Sequence, residues 1–177
     1  MWKKLSSKVI FEHSRITLLE DDVELPNGQK IQYLKFKSSG SAATIIAKNN
    51  KGKILLQKEY SYPPNETIYQ FPGGSVPERE DLELGANREL MEEADLKADK
   101  LTFLGSYLMN NRRSESKMHV YLAEDLKEQS LDGDLEENIE SFWFTEKEID
   151  ELILSGELKN GYSLAAWSLY KINRQNS

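Results

Sequence analysis

Three carboxylates and their neighbours hold most of the chemistry available to this sequence. Glu89, Glu92 and Glu93 follow Arg88 in the run Arg88-Glu89-Leu90-Met91-Glu92-Glu93. On a helix over residues 80–94 their i, i+3, i+4 spacing puts them on one face within a single turn. Carboxylates that close repel one another unless a cation lies among them. Hard oxygen ligands of this kind suit Mg²⁺ or Mn²⁺, which keep positions open for water and for substrate phosphates. The pair Gly73-Gly74 precedes the helix and allows close backbone approach, so a carbonyl there can complete the oxygen set. Leu82, Ala86 and Leu90 recur at i+4 on another side and predict packing against a sheet. An acidic run is also what an ordinary solvated helix face looks like. The spacing of the whole stretch separates the two readings.

That stretch resembles the Nudix box, G-x5-E-x7-R-E-U-x-E-E-x-G-U with U apolar. Gly74, Glu80, Arg88, Glu89, Leu90, Glu92, Glu93 and Leu96 fall on its positions, and Asp95 stands where the box has its late glycine. That glycine ends the helix; Asp also tolerates the left-handed conformation, less readily than Gly. The resemblance implies an αβα sandwich with a mixed sheet, in an α/β (α+β) fold. It also implies hydrolysis of a nucleoside diphosphate linked to another moiety. Carried over by residue, Glu89, Glu92 and Glu93 would be metal ligands, with the Gly73 carbonyl a further one. Arg88 would steer the glutamates through ion pairing, with Glu80 nearby.

Beyond the box, the chain resembles the ADP-ribose and nucleoside-diphosphate-sugar pyrophosphatase branch. The similar segments are Leu25-Pro26-Asn27-Gly28, Leu55-Leu56-Gln57-Lys58-Glu59-Tyr60-Ser61-Tyr62-Pro63, Phe71-Pro72-Gly73-Gly74 and Val120-Tyr121-Leu122-Ala123-Glu124-Asp125-Leu126. The resemblance implies a homodimer in which N-terminal sheets are exchanged. Three positions depart from the branch. Ser61 stands where an Arg often contacts phosphate, and Gln70 where Glu is usual. A proline-rich loop is replaced by Tyr107-Leu108-Met109-Asn110-Asn111-Arg112-Arg113-Ser114. Arg112 and Arg113 can replace the phosphate contact, since guanidinium binds phosphate bidentately; two arginines in a polar loop are equally typical of a solvated surface. Tyr62 and Gln70 are further candidates for substrate contact. A catalytic base is expected on the acidic loop before residue 139, with Glu137 the first choice and Glu136 the second.

The elements that must position these groups read as follows. Short strands are expected at residues 9–11 and 16–19, then a hairpin over 23–33 in which Asn27-Gly28 supplies positive φ. A second hairpin is expected between 42–47 and 53–57. A strand at 68–71 leads through Pro72-Gly73-Gly74 to the acidic helix. Strands follow at 101–109, 118–123 and 139–144. Thr145 with Glu148 forms a capping box for a helix to residue 155, and an amphipathic helix spans 163–173. This predicts an N-terminal antiparallel extension over 1–38 and a catalytic domain over 39–177.

Composition sets the outer bounds. The 177 residues are 38% hydrophobic and 30% charged, enough for a real core. With no Cys, disulfides, thiol nucleophiles and Cys-ligated zinc are excluded. The absence of a long apolar run and of a signal-like start predicts a cytoplasmic protein without a membrane partner. A net charge of −7 disfavours extended nucleic-acid binding but permits a small phosphorylated ligand bridged by metal. Within these bounds the resemblance implies an Mg²⁺-dependent (or Mn²⁺-dependent) pyrophosphohydrolase of a nucleotide sugar: ADP-ribose, a GDP-sugar or a UDP-sugar. Alternatives are an RNA 5′-end or dinucleoside polyphosphate hydrolase, and a nucleotide-sensing module without catalysis.

Overall fold

The computed structural model describes residues 1–37, 40–132 and 139–175. They fall into two compact units.

The first unit is the N-terminal chain together with Leu108–Lys117. Strands β1 (Lys3–His13), β2 (Ile16–Glu24) and β3 (Lys30–Phe36) form an antiparallel sheet in that order. β1 and β2 run well beyond the short apolar stretches expected from sequence. Polar cross-strand pairs extend them: Lys8 meets Glu20 at 2.5 Å, Lys35 meets Asp21 at 3.0 Å, and Ser7 donates to Asp21. Such pairs stabilise a ladder without leaving an apolar signature. In the β2–β3 turn only Gly28 has positive φ, at 82°. The connection is closed by Gly28 N to Leu25 O and Leu25 N to Gln29 O, so Asn27 does not need the left-handed region expected of it.

The second unit is Gly40–Tyr107 with the described residues from Met118 onward. It holds two sheets. One has the order β7 (Ser75–Pro77), β4 (Gly40–Ala47), β9 (Lys117–Glu128), β8 (Leu96–Leu108). β4 runs parallel to β9 and antiparallel to β7, so the sheet is mixed. The other has the order β10 (Ile139–Phe144), β5 (Ile54–Ser61), β6 (Glu66–Gln70), all antiparallel. β4 and β5 therefore belong to different sheets, with an isolated bridge between Lys48 and Ile54 beside the turn that connects them. The turn of the expected hairpin forms, with Asn49 N donating to Lys53 O at 2.9 Å, but the strands then diverge, because β4 is buried on both faces and takes β9 and β7 as its neighbours.

Those two faces explain the layering. Ala43, Ile45 and Ala47 pack in one core with Leu82, Ala86 and Leu90 of helix α1 (Leu82–Ala94). Ile46 packs in a second core with Ile149 of α2 (Glu146–Ser155) and Ala166, Trp167 and Tyr170 of α3 (Gly161–Gln175). Helices thus cover both sides of the buried strands. The Thr145 capping box on Glu148 is present at the start of α2. Trp167 packs α3, stacked on Phe71 and on Tyr170. Among the described residues no helix is long and apolar enough to cross a membrane.

Candidate active site

The acidic helix begins two residues later than the sequence suggests. Asp81 is its N-cap, accepting from Glu83 N at 3.0 Å and Leu84 N at 3.1 Å. Glu80 lies in the turn before it. An acidic cap suits the positive end of the helix dipole and satisfies two of its unpaired N–H groups. Asp95 closes the other end in the left-handed region, with φ 55° and ψ 30°, and its N–H donates to Leu90 O. Asn87 clasps the start of β8 through both amide atoms, donating to Ala98 O and accepting from Ala98 N.

Arg88 is the hub of the charged array. Its Nε and Nη2 reach the two oxygens of Glu80 at 2.9 and 3.0 Å, a bidentate fork. Its Nη1 lies 2.6 Å from Glu92 Oε2 and 2.9 Å from Glu89 Oε1, and Nη2 also donates to Ser75 O. The hydrogen bond from Arg88, with its charge, holds Glu80 below the usual carboxylate range. The same bond, chiefly, raises the guanidinium above its ordinary value. One cation thus gathers three carboxylates, and the repulsion between Glu89 and Glu92 is offset at a single nitrogen.

Glu93 is held separately. Its Oε2 accepts from Gly73 N at 3.0 Å. Gly73 has φ 145°, and a Cβ there would collide with Ala43 O, so the turn requires glycine at this position. A Cβ on Gly74 would meet the Glu89 carboxyl carbon at 2.7 Å. The carbonyls on either side, Pro72 O and Gly74 O, accept from Ile45 N and Ala43 N of β4.

Among the described residues, no three acidic or histidine side chains form a ready-made metal cluster. One oxygen each of Glu89 and Glu92 is engaged by Arg88, and one of Glu93 by Gly73 N–H. The donor set still fits a hard divalent ion: three carboxylates within one helical turn, beside a glycine turn, with Glu89 buried at 8% exposure.

Gln70 spends its amide on Glu59 and Asn160. Tyr62 is exposed on the loop after β5. In the first unit, Arg113 donates to Leu34 O at 2.9 Å and lies over the Tyr33 ring. The Arg112 carbonyl accepts from Tyr33 Oη, while its guanidinium has no partner among the described residues. Glu136 and Glu137 lie outside the described residues. Sequence reasoning missed Asp81 and Asn87. Asp81, immediately before the first apolar residue of the helix, was detectable as a cap; the Asn87 clasp depends on where β8 starts and leaves no local signal.

Comparison with known proteins decides the family. The NUDIX domain model matches residues 38–166. The chain belongs to the Nudix hydrolase family. A second model, the nucleoside diphosphate sugar hydrolase N-terminal domain, matches residues 2–33. The chain is 32% identical over 167 residues to an ADP-ribose pyrophosphatase of Bacillus subtilis (strain 168), covering 92% of this chain and 90% of that protein. It is 32% identical over 122 residues to the ADP compounds hydrolase NudE of Escherichia coli (strain K12), covering 68% and 66%. A crystal structure of an ADP compounds hydrolase superposes with a TM-score of 0.91 at 24% identity, over 99% of this chain and 95% of that one. That likeness shows the Nudix fold.

Proposed function

We propose that this Nudix hydrolase cleaves the diphosphate of a nucleoside diphosphate sugar, ADP-ribose among the candidates, in an Mg²⁺- or Mn²⁺-dependent reaction. The products are a nucleoside monophosphate and a sugar phosphate. The observation that carries the reading is the array on α1, in which Arg88 gathers Glu80, Glu89 and Glu92 while Glu93 rests on the glycine turn. The N-terminal match and the relatives' activities support the substrate class.

Glu89, Glu92, Glu93 and the Gly73 carbonyl would hold the metal. When bound, a divalent ion neutralises the diphosphate and makes water more acidic. Hydrolysis puts the oxygen of water on one phosphorus and releases the bridging oxygen with the other phosphate; the proton lost by water needs an acceptor. Glu137, then Glu136, remain the proposed acceptors. Arg88 keeps Glu80, Glu89 and Glu92 oriented through its ion pairs. Arg112 is the proposed phosphate contact of the arginine pair, because Arg113 is committed to Leu34 and Tyr33. Tyr62 is a proposed stacking contact, and Gln70 a proposed support beside Glu59.

We also propose that residues 1–38 are a dimerising extension to a catalytic domain over 39–177. β1 is exposed along its length, with Val9 and Phe11 more than half exposed, as suits a surface that a second copy covers. Sedimentation of the protein tests this part.

A substrate panel with Mg²⁺ tests the activity: ADP-ribose, GDP- and UDP-sugars, a dinucleoside polyphosphate and 5′-triphosphorylated RNA. Monophosphate release from a nucleotide sugar, with the highest kcat/KM of the panel, is the expected result. Preference for the RNA or polyphosphate would overturn the substrate class. Binding of ADP-ribose without metal-dependent turnover would overturn catalysis.

A further inference from the structure

β5 contains a side chain that its surroundings do not suit. Ile54, Leu55 and Leu56 are buried and apolar, and Gln57 next to them is buried to 0% exposure. Gln57 Nε2 donates to the main-chain oxygen of Glu93 at 3.1 Å. Gln57 Oε1 is buried with no hydrogen-bond partner among the described residues. An unpaired buried amide oxygen is destabilising, and a Met of similar size would avoid that cost. The amide instead supplies a donor to one of the last carbonyls of α1, which have no partner inside the helix.

The carbonyl it binds belongs to the residue whose carboxylate rests on Gly73 N. Glu93 is therefore fixed at two points, its main chain by β5 and its side chain by the glycine turn. The neighbouring terminal carbonyls use main-chain donors: Asp95 N on Leu90 O, and Leu131 N on Met91 O at 3.2 Å. In this set Gln57 is the side-chain bond, and it ties the strand β5 to the last turn of the carboxylate helix.

We propose that Gln57 is a positioning residue for Glu93: its amide holds the final turn of α1 in the register that places the Glu93 carboxylate beside Gly73. The part of this inference that concerns metal rests on the proposed function. The part that concerns the helix turn does not.

Gln57→Met separates positioning from mere stability. The substitution removes the unpaired Oε1 along with the donor, so a gain offsets a loss and the melting midpoint moves little. Hydrogen exchange of the amides from Glu93 to Leu96 should accelerate severalfold. Mn²⁺ affinity, read from the free-ion signal in electron paramagnetic resonance, should weaken about tenfold, as is usual when a ligand loses its support. kcat should fall with KM little changed. Unchanged exchange in that turn, or unchanged Mn²⁺ affinity with a large fall in melting midpoint, would overturn the proposal. If the parent protein binds no Mn²⁺ and hydrolyses no nucleotide sugar, the proposed function fails instead, and the exchange measurement still decides whether Gln57 holds the turn.

Discussion

Arg88 and Glu80, eight residues apart, meet as a two-pronged fork at 2.9 and 3.0 Å, although Glu80 precedes the helix that carries Arg88. The turn at Glu80 is thereby fastened to the second turn of α1, and the same guanidinium spans Glu89 and Glu92. Removing Glu80 should loosen the whole array rather than one surface pair.

The stability consequence has a defined pH dependence. Arg88 depresses the Glu80 carboxyl below its ordinary value of 4.5. A depressed carboxylate contributes stability above the unfolded-state value, and that contribution is lost as pH falls through the folded-state value. Glu80→Gln should therefore cost about 1–2 kcal/mol at pH 7. Thermal melts of the two proteins should converge as pH drops below 4.5. A constant gap across that range would show that charge on Glu80 is not the cause.

Glu93→Gln keeps the size of the side chain and an oxygen for Gly73 N–H, while removing the charge. The fold should persist, with an unchanged circular dichroism spectrum. Turnover of the preferred nucleotide sugar should fall by about 10² or more, as when a principal electrostatic group is lost. A variant with full turnover would remove Glu93 from the chemistry.

The two loop arginines should behave differently. Arg113→Ala deletes the bond to Leu34 O and the contact with Tyr33, and should lower the melting midpoint of the first unit. Arg112→Ala deletes no partner among the described residues and should leave the melt unchanged. If Arg112 contacts phosphate, its loss should raise KM about tenfold or more, the scale of one charge-assisted contact. An equal effect of both substitutions on KM would argue against this division of labour.

The helix face of Glu89, Glu92 and Glu93 and the apolar stripe of Leu82, Ala86 and Leu90 were legible in the sequence, because a 3.6-residue period is local. So was the Thr145–Glu148 box, where both partners lie three residues apart. The length of β1 was not, since Lys8, Ser7 and Ser6 find their partners only across a ladder. Nor was the sheet membership of β4 and β5: two buried apolar runs around a turn look alike whether they pair with each other or with distant strands. Arg112 and Arg113 are indistinguishable in sequence, and only Tyr33 and Leu34, 79 residues away, separate them. Gln57 likewise reads as one polar residue in a strand until its distance to Glu93 O is known.

Asp95 offers a test of the helix end alone. It adopts φ 55° and ψ 30°, a conformation that costs a residue with Cβ more than it costs glycine. Its carboxylate also stands at the negative end of the α1 dipole, where an anion is unfavourable. The main chain already makes the bonds a cap requires, from Asp95 N to Leu90 O and from Gln129 N to Asp95 O at 3.0 Å. Asp95→Gly keeps both bonds and removes both penalties, against the greater unfolded-state freedom of glycine. A net gain of about 0.5–1 kcal/mol is expected, with a rise of about 1–4 °C in melting midpoint. Because Asp95 is exposed and not among the proposed ligands, kcat should be unchanged. A lower melting midpoint would mean that the Asp95 side chain stabilises this turn through a contact stronger than its backbone strain.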